Sequence, residues 1–299
     1  TPLTPTLAPT AIDERGEIWA LQYPFSLDEG PLSTHAPGDH GFSTVNCYLI
    51  RDKSDSLLID TGFTTHRDAL VADVTSLVSK DGALSLFPLR FGEFNSICNI
   101  VPLVELMNGG TLYSSALGDA RAAVPFHPRD TPFGTPNVPP ALANVELATG
   151  RPGTPVTVGS KELESLEPPL QLLPFHWLYE PTSKTLFTCD VFAYRWNPAE
   201  SGEWSVTRAD DMADDDFVYE HLIHTRFWWL AGANIERILA AVTELFDALD
   251  IETIAPGFGR ILRGADVVHA HVEQLKRLIT RAGADVSMGV DAGQLSIRA

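Results

Sequence analysis

Strand and helix signals alternate along this 299-residue chain, and that alternation restricts it to an α/β fold. Residues 45–51 and 57–60 read as apolar strands joined by the polar turn Asp52-Lys53-Ser54-Asp55. Residues 65–79 follow as a helix with Leu70, Val71, Val74, Leu77 and Val78 on one face. A strand at 84–89, a helix at 97–107 stopped by Asn108-Gly109-Gly110, and a short strand at 111–114 complete the first half. The second half repeats the pattern. It has strands at 170–175, 185–189 and 251–255, an amphipathic helix at 235–249 and a last long helix at 267–279. Between the halves, residues 124–155 are dense in Pro and Gly, as expected of a lid, a binding loop or a surface excursion.

Charge and cysteine content narrow the partners. A net charge of −18 disfavours nucleic acid and anionic membrane surfaces, both of which are held through Lys and Arg. Cys47, Cys98 and Cys189 are odd in number and form no Cys-x-x-Cys pair, so neither a disulfide framework nor a zinc ribbon is indicated. No apolar run reaches membrane-spanning length, and residues 1–10 lack a signal-peptide pattern. The expectation is a soluble, cytoplasmic protein. No Gly-x-Ser-x-Gly, P-loop or Gly-x-Gly-x-x-Gly motif occurs.

Several short stations sit at the ends of the predicted strands. They are Asn46-Cys47-Tyr48-Leu49-Ile50, Leu58-Ile59-Asp60-Thr61-Gly62, Phe91-Gly92-Glu93-Phe94-Asn95-Ser96, Pro174-Phe175-His176-Trp177, Leu186-Phe187-Thr188-Cys189-Asp190 and Ile254-Ala255-Pro256-Gly257-Phe258-Gly259. In this order they resemble the metallo-β-lactamase superfamily, and most of all its flavodiiron-like, oxygen-binding branch, over roughly residues 44–262. The resemblance implies a single-domain αββα sandwich over residues 44–299. Residues 1–43 would be an N-terminal extension and a loop bordering the cleft.

The same resemblance assigns a metal site and shows what has changed in it. The branch writes its first ligand motif His-x-Glu-x-Asp-His, and this chain has Phe91-x-Glu93-x-Asn95-Ser96. One metal would keep Glu93, His176 and Asp190. The other would keep only the bridging Asp190, with Asn95 and Ser96 as weak donors and Phe258 unable to coordinate. A lone imidazole with two carboxylates is close to the facial triad of mononuclear iron enzymes. Without metal, the same trio could act as a hydrogen-bonded acid/base device.

Other residues are candidates to assist. His35 and His40 lie in a Gly/Pro loop, Thr34-His35-Ala36-Pro37-Gly38-Asp39-His40, and could reach the cleft. His221 and His224 share a helical face if that stretch is helical. Phe91, Phe94, Phe175, Trp177, Phe192 and Trp196 could line an apolar pocket. Ser96 reads as a helix N-cap more readily than as a nucleophile, and alternation along its strand turns Cys189 away from the cleft.

The expected function is therefore a small-molecule enzyme with Glu93, His176 and Asp190 as catalytic or metal-binding residues. It would hold one iron or zinc ion, iron ahead of zinc, or none, and no flavin. Oxidoreductase or oxygen chemistry leads and metallo-hydrolase chemistry follows. The alternative class is a ligand-binding or assembly protein that has lost the di-metal site. By analogy with the branch, a homodimer is expected.

Overall fold

A computed structural model describes residues 7–28, 35, 39–90, 93–114, 120–122, 138–171 and 175–285, apart from the side chains of residues 224 and 225. Two seven-stranded sheets pack face to face. The first runs in chain order: β1 (Thr10–Ala11), β2 (Ile18–Ser26), β3 (Phe42–Asp52), β4 (Asp55–Ile59), β5 (Leu84–Phe87), β6 (Thr111–Ser114) and β7 (Glu146–Thr149). β1 to β4 are antiparallel and β4 to β7 parallel. The second sheet contains β8 (Pro155–Val158), β9 (Lys161–Leu166), β10 (Trp177–Glu180), β11 (Thr185–Cys189), β12 (Ser205–Val206), β13 (Thr253–Pro256) and β14 (Ile261–Arg263). Its order is β12-β14-β13-β11-β10-β9-β8.

Alternating side chains explain the layers. Tyr48 and Ile50 of β3 and Leu57 and Ile59 of β4 join Leu178 and Phe187 in the core between the sheets. Val45, Cys47 and Leu49 point the other way, onto Leu70 and Val74 of helix α1 (Arg67–Leu77). Helices α4 (Asp215–His221), α5 (Glu236–Ala248) and α6 (Ala265–Ala284) cover the second sheet. This is the αββα sandwich expected from the resemblance. Among the described residues no helix is long and apolar enough to cross a membrane.

Several local readings change. The segment before residue 44, which reads as loop-rich with one short strand-like piece at 18–23, supplies β1 and a longer β2 that pairs with β3 over nine residues. The helix expected at 97–107 is broken into α2 (Phe94–Ile97), α3 (Ile100–Leu103) and a 3₁₀ turn at Val104–Leu106. Pro102 offers no N–H to an earlier turn. Asn99 bonds instead to the backbone oxygens of Thr61 and Phe63, at 2.8 and 3.0 Å. The strand expected at 170–175 is absent among the described residues 170, 171 and 175. Its place is taken by β10, which pairs with β9 and β11. Residues 124–137 of the Pro/Gly-rich stretch, Phe91 and Gly92 lie outside the described residues.

Candidate functional site

Three strand ends converge at one edge of the sandwich. β4 delivers Asp60, β5 runs on into Leu89 and Arg90, and β11 delivers Asp190. The turns that aim the two aspartates are left-handed, with φ of 59° at Asp60 and 55° at Cys189. Side chains with a Cβ adopt that conformation only where the surrounding structure enforces it, which is common at functional sites.

The centre of the site is an arginine. Arg90 is 1% exposed, and its Nη1 lies 2.5 Å from Asp190 Oδ2. Its Nη2 lies 3.0 Å from Glu93 Oε1. A second guanidinium closes the other side, with Arg226 Nε 3.3 Å from Asp190 Oδ1. Burial works against the charge on Arg90, but the neighbouring Asp190 and Glu93 outweigh it and hold its pKa above the ordinary arginine value. Arg226 reaches this position from a π-turn at Leu222–Arg226, closed by a 2.6 Å bond from Phe227 N to Leu222 O. Such insertions recur at functional sites because they redirect one residue without ending the helix.

Asp60 is the third carboxylate. Its Oδ1 accepts a 2.8 Å bond from Leu89 N. Ser96 donates to it while accepting from Arg90 N at 3.3 Å. Burial dominates, and the pKa rises to about 7.

The predicted residues divide clearly. Glu93 and Asp190 are brought together, but through Arg90. His176 precedes β10 and faces elsewhere. Its ring meets Phe87 edge-on at 6.1 Å, and its Nδ1 lies 3.5 Å from Ser165 Oγ. Burial lowers its pKa, and neither Glu93 nor Asp190 contributes to that shift. Its backbone N–H donates to Leu89 O at 3.0 Å, so the residue lies beside the strand end that carries Arg90 while its ring turns to Phe87 and Ser165. Asn95 and Ser96 flank Asp60, with Thr61 N donating to Asn95 O at 3.1 Å.

Of the accessory histidines, His40 pairs with Asp28 on the exposed surface, at 2.5 Å. His35 is half-buried and lies close enough to His221 to disfavour its protonated form. The His224 side chain lies outside the described residues. His221 is buried against Tyr194 and Trp196, and burial with Arg226 nearby pushes its pKa down to about 3. Phe258 lies tilted against Phe63, with ring centroids 6.1 Å apart. Trp177 and Phe192 pack on Phe246 in the core, and Phe94 is exposed. Cys189 is fully buried, and burial pushes its thiol pKa up.

Arg90 and Arg226 were not among the sequence candidates. The signal for Arg90 was a full charge at the end of an otherwise apolar strand run, where a buried position demands a partner.

Solved structures with this architecture include rubredoxin oxygen:oxidoreductase from the anaerobe Desulfovibrio gigas. It is 18% identical, with a TM-score of 0.64 over 91% of this chain and 61% of that one. The flavodiiron protein from Giardia intestinalis is 14% identical, with a TM-score of 0.62 over 93% and 60%. A 1–254 fragment of a diflavin flavoprotein from Nostoc sp. is 17% identical, with a TM-score of 0.63 over 92% and 98%. This chain has the metallo-β-lactamase-like fold of the flavodiiron core. It spans about three-fifths of the first two proteins' length. No family model and no curated protein matches it.

The residues present do not fit the flavodiiron metal pair. A guanidinium already sits between Glu93 and Asp190, where a cation would sit. Among the described residues, no group of three or more His, Cys, Asp or Glu side chains is placed to hold a metal ion.

Proposed function

We propose that this chain is a metal-independent, ligand-binding member of the flavodiiron fold, in which arginines have taken over the charge balance of the metal cradle. The observation that carries this reading is Arg90, fully buried and shared between Glu93 and Asp190. A metal ion entering the same space would meet an adjacent fixed positive charge in a low-dielectric environment, and the repulsion there is large. Asp190 would have to exchange two guanidinium partners for one metal ion.

The oxygen reduction named for the Desulfovibrio protein therefore does not carry over to this chain. On this reading the same guanidinium also displaces the one-metal oxidoreductase and hydrolase expected from the sequence. Each needs His176 beside the carboxylates, and His176 is engaged with Phe87 and Ser165.

Elemental mass spectrometry of protein purified without added metal tests the proposal, together with oxygen consumption under an electron donor. Well below one iron or zinc per chain, and no donor-dependent oxygen uptake, is the expected result. One tightly held iron or zinc per chain would overturn it.

A further inference from the structure

We propose that helix α5 is the pairing face of this chain, packing antiparallel against α5 of a second copy across a two-fold axis near residue 240. The pairing stands whether or not the Arg90 cluster holds a metal.

α5 is patterned for more burial than the fold gives it. Val242 alone is fully buried, while Ile238, Leu239, Leu245 and Phe246 stay partly exposed. Helix α6, by contrast, buries Val267, Val272, Leu275, Leu278 and Ile279. The uncovered side of α5 borders a groove of about 550 Å³. Ile238, Ala241 and Leu245 form one wall of it, at a spacing that keeps them on one side of the helix. Pro168, Pro169 and Trp229 line the remainder, and Trp228, next in sequence, is 60% exposed. Contiguous apolar surface of this kind marks an interaction site.

Charge selects the occupant. Arg237 lines the groove, and Glu244 stands two turns further along the same side. Both are exposed. Between them, at the three- and four-residue positions where a helical partner would sit, are Ala240 and Ala241. Among the described residues neither Arg237 nor Glu244 forms an ion pair. Glu167, also on the groove, accepts from Gln171 Nε2 at 3.4 Å.

An antiparallel copy supplies both missing partners at once. With the axis near residue 240, Arg237 of each copy meets Glu244 of the other. The same register sets Ile238 of each copy against Ala241 of the other, so that a large side chain faces a small one and the helices interdigitate. Charges flanking an apolar seam in this way fix the choice and orientation of the paired helix. A parallel pair would set Arg237 on Arg237 and Glu244 on Glu244. The face is thus self-complementary, as a two-fold interface must be. A net charge of −18 on each copy opposes association, so pairing depends on this local match. One helix with its flanking Trp and Pro residues is a small interface, and the dimer it supports is weak and reversible.

Sedimentation equilibrium of the 299-residue chain tests this, at about 0.15 M salt and up to about 300 μM protein. Wild type should show a reversible monomer–dimer equilibrium. Arg237→Glu and Glu244→Arg should each weaken it at least about tenfold, because symmetry turns each change into two like-charge contacts. The double variant Arg237→Glu/Glu244→Arg restores both pairs in reverse and should return to within about threefold of wild type. Both positions are exposed, so the variants should stay folded, which circular dichroism checks. Ala241→Glu, in the middle of the seam, should weaken the dimer without touching either charge. A wild-type chain that stays monomeric at every concentration would leave the groove to a different partner and overturn the proposal. A dimer unaffected by the single variants would place the interface elsewhere and overturn it too. So would a double variant as weak as the singles, since the two charges would then not meet.

Discussion

Asp60 and Asp190 are both buried aspartates, one at the end of a strand in each sheet, and the fold stabilises them in opposite ways. Asp60 receives hydrogen bonds from Leu89 N and Ser96, and burial raises its pKa to about 7. Asp190 is clamped by Arg90 and Arg226. One carboxylate is pushed toward its protonated form by burial, and the other is paired with two guanidinium groups. The difference shows how a metal cradle can persist without metal. The bridging carboxylate keeps its place because guanidinium groups, fixed by the chain itself, do the work of cations.

Removing the clamp should have the largest effect. Arg90→Ala leaves Asp190 with one partner and Glu93 with none, and breaking a buried pair in this way costs about 3–5 kcal/mol. Chemical denaturation of the variant should show a loss of that size. A loss under about 1 kcal/mol would mean that the pair contributes no more than a surface ion pair, and the contrast with Asp60 would collapse. Arg90→Met separates packing from charge, because it fills the volume without pairing.

The proton at Asp60 gives the second prediction. Its folded pKa lies above the ordinary value of 3.8, so the folded state binds the extra proton. Its contribution to stability is fully present below about pH 4, declines as pH rises to about 7, and is flat beyond. Asp60→Asn should remove that decline and leave the protein more stable than wild type at pH 8, by on the order of a few kcal/mol. Asn keeps an acceptor for Leu89 N, so the backbone bond survives. A pH–stability profile unchanged by the substitution would place the titration elsewhere.

Much of this architecture is readable from the chain because its causes are local. Residues 45–60 must pair as strands, since their apolar side chains alternate across a polar four-residue turn, and β3 and β4 form there. The amphipathic pattern near 235–249 becomes α5 for an equally local reason. The site was less legible because it depends on a boundary and on one residue outside the motif. His176 meets the strand end through its backbone N–H on Leu89 O, while its ring lies against Ser165 and Phe87. Arg90 stands one place before the motif that drew attention to Glu93. Arg226 is aimed by a π-turn, which has no clear sequence signature. Tertiary pairing decides both arginines, and a one-dimensional pattern does not encode it.

Glu93 should give the smallest effect and the sharpest comparison within the clamp. It pairs with Arg90 as Asp190 does, but its side chain is 26% exposed, against 2% for Asp190. Water therefore compensates when the Glu93 charge is removed, and Arg90 keeps its 2.5 Å partner. Glu93→Gln should cost no more than about 0.5–1 kcal/mol, in the range of partly exposed pairs. That cost should shrink further as salt rises from 0.05 to about 0.5 M, because exposed pairs are screened and buried ones are not. A loss as large as that of Arg90→Ala would make Glu93 a structural partner equal to Asp190, with no freedom to leave Arg90. A small, salt-sensitive loss would identify it as the movable member of the cluster.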